Sequence, residues 1–226
     1  MCTGRVETLA VVEALQGGAD GVLVVGCRFG ECHYEGGNYQ FDSRIEVVAR
    51  LLASLGIDRG RIAFRQCSSA EGAKFAATVN EFQAAIQALG PLGAAECLDP
   101  REVRQRLALG QDVLRSPKIR WVLGKAVEFQ REGNKYHERF TRHELGRCLE
   151  GIIVDELATQ GILRALRESV RGAPELAVAL QLPCARVVRY LEALRRRQLI
   201  SVTGVRGRTP LYALKAGDES CVTKPS

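Results

Sequence analysis

The chain has 226 residues and a formal net charge of +6, a length that allows one large domain or two small ones and favours two. The charge is uneven, because residues 1–93 carry 8 basic and 10 acidic side chains whereas the remainder carries 24 and 16. This asymmetry predicts two regions with different partners, and the basic one suits nucleic acid, an anionic membrane surface or an acidic protein.

The amino terminus and the cysteine content argue against secreted and membrane-spanning proteins. The opening MCTGRVETLAVVEALQGG lacks a basic segment followed by a long apolar run, and no apolar run reaches transmembrane length. We therefore expect a soluble, cytoplasmic protein. In the reducing environment of the cytoplasm, the 8 cysteines indicate metal ligands, reactive thiols or buried apolar side chains rather than a disulfide framework.

The first ninety residues alternate between helical and strand patterns. Helical spacing of apolar residues predicts helices, and short continuous apolar runs predict strands. The predicted order is helix Val6–Leu15, strand Gly21–Cys27, helix Ile45–Leu55, strand Arg61–Cys67 and helix Gly72–Leu89. This order implies parallel strands joined by helical crossovers, and hence a small doubly wound α/β sheet.

The strand that would precede the first crossover helix of such a sheet is missing, because Met1 and Cys2 already lie at the turn. Two strands also make a poor sheet by themselves. Either a partner chain supplies the missing strand or the natural protein begins further upstream. We favour the second explanation.

Three cysteines are expected at one edge of this sheet. Cys27 closes the first predicted strand, Cys32 follows in a glycine-containing loop, and Cys2 lies where the missing strand would end. Ligands of open parallel sheets bind at the carboxyl ends of the strands. Three thiolates there suit an iron-sulfur cluster or a zinc ion, for which His33 is the imidazole alternative. Spacing alone equally allows unpaired thiols, and Cys32 beside His33 makes a poor catalytic pair.

A longer match strengthens the metal interpretation. The segments MCTGRV, GADGVLVVGCRFGECHYEGGNY and SSAEGAKFAATVNEF resemble the delta subunit family of methyl-viologen-reducing hydrogenase. The resemblance covers Met1 to Pro91, and its most specific part is the G-C-x-x-G-x-C-H-Y-x-x-G-N-Y block.

The resemblance implies a non-catalytic electron-transfer subunit that holds a [2Fe-2S] cluster. It implies Cys2, Cys27 and Cys32 as metal ligands, and as partners a heterodisulfide-reductase-type flavoprotein and a hydrogenase or other electron donor. The C-x-x-C pair that family members carry upstream is absent here, which leaves the cluster one ligand short. Cys67 is a candidate for the gap, although a buried apolar thiol is the favoured interpretation of that residue.

The rest of the chain is predicted to be helical and then mixed. Asp99 before Pro100 predicts a helix start, and aromatic residues among charges predict further helices up to Glu150. The expected domains are an iron-sulfur domain over residues 1–91, a helical connector over 92–152, a winged helix over 153–215 and a flexible tail over 216–226.

The winged-helix prediction follows from three helices and a hairpin. Asp155–Arg171, APELAVAL and CARVVRYLEALRRRQL have helical patterns, and ISVTGVRGRTPLYAL alternates as two strands around a basic tip. This region resembles bacterial winged-helix regulators. In that fold the third helix enters the major groove and the wing contacts the backbone. The arginines expected to meet phosphates are Arg186, Arg189, Arg206 and Arg208.

Two functions follow from these patterns. The first is an electron-transfer subunit whose basic region docks it to a redox partner. The alternative is a DNA-binding regulator that uses the cysteine module as a redox or iron-sulfur sensor. We rank electron transfer first, because the specific motif belongs to that family whereas the winged helix has many uses.

Overall fold

The structure is a computed structural model that describes residues 2–215. The chain divides into two compact units, one up to Val154 and one from Asp155 onward. Among the described residues, none of the helices combines the length and apolar character needed to cross a membrane.

The first unit is mixed α/β. Its elements are a 3-10 turn (Thr3–Arg5), α1 (Thr8–Gln16), β1 (Val22–Gly26), α2 (Gly37–Ser54), β2 (Ile62–Gln66), α3 (Gly72–Leu89), α4 (Pro100–Arg115) and α5 (Pro117–Arg131). The next helix, α6 (Arg142–Glu168), contains the boundary between the units. All five elements predicted up to Leu89 are confirmed, although α2 begins eight residues before the predicted Ile45.

The sheet of the first unit consists, within the described residues, of β1 and β2 in parallel, with register from Val22 opposite Ile62 to Gly26 opposite Gln66. Helix α2 joins the two strands and covers the sheet through an edge-to-face contact between Phe41 and Phe64, whose ring centroids are 5.1 Å apart. The small parallel sheet is confirmed.

The core of this unit lies between helices. Helix α1 packs against α4, and α2 packs against α5. Helix α4 begins at the predicted residue, where Asp99 accepts from the backbone N–H of Arg101 and Glu102 in a capping box. The fully buried apolar side chains include Val12, Phe41, Val48, Leu51, Leu52, Leu107, Val113 and Ile119. By contrast, α3 has no buried residue.

The second unit contains the end of α6, β3 (Arg171–Gly172), α7 (Ala173–Ala179), α8 (Cys184–Arg196), β4 (Ile200–Arg206) and β5 (Thr209–Leu214). Its three strands form an antiparallel sheet in the order β3, β5, β4. The core is Ile162, Leu166, Ala173, Leu176, Val187, Leu191, Leu194 and Ile200. The predicted helices and hairpin are therefore present, while the winged-helix classification stays a prediction. The predicted tail, residues 216–226, lies outside the described residues.

Candidate functional site

The carboxyl ends of β1 and β2 meet at one edge of the sheet, as the sequence predicts. Cys27 and Cys67 are the residues that follow these strands, and the backbone N–H of Cys67 donates to the carbonyl oxygen of Gly26 at 2.9 Å. Both cysteines line a cavity of about 420 Å³. The lining also includes Thr3, Ser68 and Phe75.

Cys2 and Cys32, which are thirty residues apart in the chain, come into contact. Their Sγ atoms lie 3.6 Å apart. Two thiolates on one tetrahedral metal ion, each at about 2.3 Å from the metal, are separated by about 3.8 Å. The pair therefore has the spacing that a single iron or zinc ion requires of two of its ligands.

Glycines permit this approach. A Cβ on Gly37 would clash with Cys2 Sγ and lie 3.6 Å from Cys32 Sγ, and one on Gly4 would lie 2.8 Å from the Cα of Gly37. A side chain at position 37 would thus occupy the space of the thiols. Arg44 fixes the same contact by donating from Nη1 to the carbonyl oxygen of Gly4 at 2.8 Å.

The loop from Cys27 to Cys32 is held by Asn38, which is fully buried. Its Nδ2 donates to the carbonyl oxygens of Cys27 at 3.1 Å and Arg28 at 2.7 Å, while its Oδ1 accepts from the N–H of Tyr39 at 2.9 Å. One side chain thus ties the loop after β1 to the start of α2. Sequence reasoning did not single out Asn38, although it lies within the G-N-Y part of the motif.

Cys32 lies in an environment that favours its thiolate. A hydrogen bond from the backbone of Tyr34 is the largest effect that lowers the pKa of the Cys32 thiol. The side chain of Cys2 and the backbones of Asn38 and Gly37 lower it further, while burial opposes them. Gly37 and Asn38 lie at the start of α2, where unpaired N–H groups stabilise negative charge. The pKa of Cys32 is therefore shifted in the direction that favours a thiolate metal ligand.

The three predicted ligands do not all meet. Cys2 and Cys32 form the close pair, while Cys27 is exposed and lines the cavity with Cys67. Within residues 2–215, no group of three or more His, Cys, Asp or Glu side chains is arranged to hold a metal ion. His33 is exposed and contacts Tyr34 edge-on at 5.0 Å.

The remaining cysteines differ in exposure. Cys97, Cys148 and Cys184 are exposed thiols, and Cys221 lies outside the described residues. Cys67 is half-buried, and its Sγ donates to the carbonyl oxygens of Ser68 and Glu71, both at 3.4 Å.

An aromatic stack lies beside the cysteine loop. The rings of Phe29 and Tyr39 stack at 4.5 Å, and the guanidinium of Arg131 lies 4.9 Å from the centroid of Tyr39. The N–H of Phe29 also donates to Oε1 of Gln66 at 3.3 Å. Through these contacts both β2 and α2 support the loop, in addition to the hydrogen bonds from Asn38.

Two of the four arginines predicted to meet phosphates contact acidic groups within the second unit. Arg186 lies 3.5 Å from Asp155, whose carboxylate also accepts from the hydroxyl of Tyr190 at 2.5 Å. Arg206 pairs with Glu175 at 2.5 Å. Arg189 and Arg208 are exposed. Among the exposed residues in the first two turns of α8, Cys184, Ala185 and Val188 are apolar or small, and Arg189 is charged.

The comparisons with known proteins bear on the first unit. Residues 1–90 match the family model described as methyl-viologen-reducing hydrogenase, delta subunit. The iron-sulfur subunit of the F420-non-reducing hydrogenase of Archaeoglobus profundus is 49% identical over 90 residues, which are 40% of this chain and 66% of that protein. The vhu iron-sulfur subunit of the F420-non-reducing hydrogenase of Methanopyrus kandleri is 43% identical over 91 residues, 40% of this chain and 69% of that protein.

A further relative is much longer. It is one of the subunits of the ferredoxin/F(420)H(2)-dependent CoB-CoM heterodisulfide reductase of Methanosarcina acetivorans. This subunit is 43% identical to the chain over 103 residues, which are 44% of the chain and 13% of the subunit. The chain thus spans about two thirds of the hydrogenase subunits and a small part of the reductase subunit. The matched region contains the cysteine pair, its glycines and Asn38. By this likeness the chain belongs to the methyl-viologen-reducing hydrogenase delta subunit family.

Proposed function

We propose that this chain is an iron-sulfur electron-transfer subunit of a hydrogenase or heterodisulfide reductase complex. The observation that carries the proposal is the 3.6 Å separation of Cys2 Sγ and Cys32 Sγ, within a region that matches proteins named as iron-sulfur subunits. Iron-sulfur clusters are held by thiolates. The close pair, the glycines Gly4 and Gly37 beside it and the lowered pKa of Cys32 support such a donor set.

The proposed ligands are Cys2, Cys27 and Cys32, and the proposed cluster is [2Fe-2S]. When bound, such a cluster accepts and donates single electrons at a potential set by charge, hydrogen bonds and exposure. Residues of this chain hold the loop and stabilise the charge of the proposed ligands. Asn38 fixes the loop that carries Cys27, and the backbone N–H groups at the start of α2 stabilise charge on Cys32. Burial of Cys32, which is 9% exposed, limits the access of water.

The proposed partners are a heterodisulfide-reductase-type flavoprotein and a hydrogenase or other electron donor in the cytoplasm. Relatives named as subunits of both kinds of complex support this choice. We assign electron transfer to residues 1–91, a connecting role to 92–152, and docking by a winged helix to 153–215. The apolar start of α8 and the pairing of Arg186 and Arg206 with carboxylates favour a protein surface over DNA as the partner.

Anaerobic reconstitution tests the proposal. The full chain is loaded with ferrous iron and sulfide, and iron and acid-labile sulfide per chain are measured together with the visible absorption spectrum. We expect a thiolate-to-iron absorption that is lost in Cys2→Ser and Cys32→Ser. The matched control is Cys148→Ser, because Cys148 is an exposed thiol of the same unit. A wild-type chain that binds no iron would contradict the proposal.

A further inference from the structure

The contact between Cys2 and Cys32 allows a second chemistry besides metal binding. Their Sγ atoms are 3.6 Å apart, in a sulfur hydrogen bond for which either thiol can be the donor. A disulfide bond joins two sulfurs at about 2.05 Å, which leaves a gap of about 1.5 Å to close. Rotation about χ1 of a cysteine moves its sulfur on this scale. The two sulfurs are therefore within reach of a bond with each other.

Short turns hold the two backbones in place. The carbonyl oxygen of Cys2 accepts from the N–H of Arg5 at 3.0 Å, and that of Cys32 accepts from the N–H of Glu35 at 2.8 Å. A Cβ on Gly37 would clash with Cys2 Sγ. The turns thus position the thiols, and the glycine leaves room for their contact.

We infer that Cys2 and Cys32 form a thiol–disulfide exchange site, at which a low-molecular-weight disulfide oxidises the iron-free chain. Formation of the bond does not depend on the proposed function. Its consequence rests on that function, because the sulfurs that the bond joins are proposed to bind iron as thiolates. The oxidised chain would therefore need to be reduced before it takes up iron.

Exposure decides the order of the two exchange steps. Cys2 is half-buried whereas Cys32 is 9% exposed, so an external disulfide reaches Cys2 first. The Cys2 thiolate attacks one sulfur of that disulfide, breaks its S–S bond and releases one thiol, which takes the proton of Cys2. The Cys32 thiolate then attacks Cys2 Sγ, and the second thiol leaves with the proton of Cys32. The two cysteines lose two electrons, and the external disulfide gains them.

The pairing should be selective. Cys27 is five residues from Cys32 in the chain, yet it is exposed and lines the cavity with Cys67. Groups that are already in contact react at a high effective concentration. We therefore expect the link between Cys2 and Cys32 to be at least about tenfold more abundant than one between Cys27 and Cys32.

Peptide mapping of the iron-free full chain tests the inference. The chain is equilibrated with oxidised glutathione, the free thiols are alkylated, and tryptic peptides are identified by mass spectrometry. Trypsin cleaves after arginine and places the first three cysteines in separate peptides, namely residues 1–5, 6–28 and 29–44. We expect peptide 1–5 linked to peptide 29–44, with a mass two hydrogens below the sum of the free peptides. Dithiothreitol should abolish the link.

A variant that keeps both cysteines tests whether their contact is required. In Gly37→Ala the added methyl group would clash with Cys2 Sγ, so the linked fraction should fall below that of the wild type at the same glutathione concentration. Gly124→Ala is the matched control, because its Cβ would meet nothing within 4 Å, and it should keep the wild-type fraction. Circular dichroism of each variant establishes that it folds.

The wild-type result decides the inference without any variant. Full alkylation of Cys2 and Cys32 after treatment with oxidised glutathione, or an equal abundance of the Cys27–Cys32 link, would overturn it. Iron uptake is measured separately on the reduced chain. A chain that forms the disulfide but takes up no iron when reduced keeps the exchange site and contradicts the electron-transfer function. A chain that takes up iron when reduced but forms no disulfide contradicts only the exchange site.

Discussion

Arg61 and Glu96 form a buried ion pair, with side chains that are 0% and 4% exposed. Arg61 Nε lies 2.5 Å from Glu96 Oε1, and its Nη2 donates to Oε2 at 2.9 Å. The remaining donors of Arg61 reach the carbonyl oxygens of Asp20, Gly90 and Pro91. One side chain at the start of β2 thus secures the loop before β1 and the segment after α3.

Removal of one partner should be strongly destabilising. Arg61→Met would leave Glu96 buried without its cation and three carbonyl oxygens without a donor, which should lower the free energy of unfolding by about 3–5 kcal/mol. Urea denaturation measures the change. Arg115→Met is the control, because its pair with Glu13 is exposed, and it should cost less than about 1 kcal/mol. Equal losses in the two variants would contradict the role of the buried pair.

The same pair predicts a dependence of stability on pH. Hydrogen bonding from Arg61 is the main cause that lowers the pKa of Glu96 from 4.5 to about 2. Because the unfolded chain binds this proton at a higher pH, the stabilisation is complete above about pH 4.5 and is lost as the pH falls towards 2. The difference in unfolding free energy between wild type and Glu96→Gln should therefore shrink between pH 5 and pH 3. A constant difference across that range would contradict this.

Much of the fold follows from local patterns. The helix at Gly72–Leu89 begins and ends at the predicted residues, since Gly90 and Pro91 stop it. The sequence pattern predicts too late a start for α2, because Gly37 and Asn38 have low helix propensity. Tertiary contacts of the cysteine loop determine their conformation instead. The ion pair of Arg61 with Glu96 joins residues thirty-five apart, and no spacing rule reveals it.

The candidate site was predictable in part. Strand ends brought Cys27 to the expected edge, whereas the contact of Cys2 with Cys32 depends on the close approach of Gly4 and Gly37. That approach depends on tertiary packing, and the spacing of the cysteines in the sequence does not predict it. The glycines of the motif were a usable signal, because a glycine is needed wherever a backbone lies against another group.

Gly37→Ala should disturb the thiol pair. The added methyl group would clash with Cys2 Sγ and lie against Cys32 Sγ, so iron per chain should fall and stability should drop by about 1–3 kcal/mol from overpacking. Gly124→Ala is the matched control. Its Cβ would meet nothing within 4 Å, and in the middle of α5 it should stabilise the helix by about 0.5–1 kcal/mol. Wild-type iron content in Gly37→Ala would contradict the requirement for a glycine beside the two thiols.

Substitution of Asn38 separates a local role at the start of α2 from a role in holding the cysteine loop. Asn38→Ala should cost about 1–3 kcal/mol, because the carbonyl groups of Cys27 and Arg28 lose their donor. Asn38→Asp keeps the acceptor for the N–H of Tyr39 but removes the donor. Both variants should therefore lose iron on gel filtration. Full iron retention by Asn38→Asp would indicate that the acceptor alone matters.

Among the residues that the structure describes, Arg189 and Arg208 have no carboxylate partner, and these two should matter most for docking. Arg189 and Arg208 are exposed, whereas Arg186 and Arg206 contact Asp155 and Glu175. Reversing Arg189 and Arg208 to Glu should slow association with the flavoprotein and weaken its dependence on salt, since peripheral charges act chiefly by steering. Stopped-flow reduction of the partner at several salt concentrations measures this rate.

The control for that experiment reverses two exposed cations of the first unit, Lys118→Glu with Arg120→Glu, so that the net charge changes equally. If docking uses the second unit, only the Arg189 and Arg208 variant should slow electron delivery, while iron content stays unchanged in both.

A result from DNA binding would decide against docking. Binding to one short DNA sequence at least about a thousandfold tighter than to random DNA at physiological salt would mark the unit as a sequence reader. Three of the four exposed residues in the first two turns of α8, Cys184, Ala185 and Val188, are apolar or small and only Arg189 is charged, which favours a protein partner, because bases are read mainly by Arg, Lys, Asn and Gln side chains.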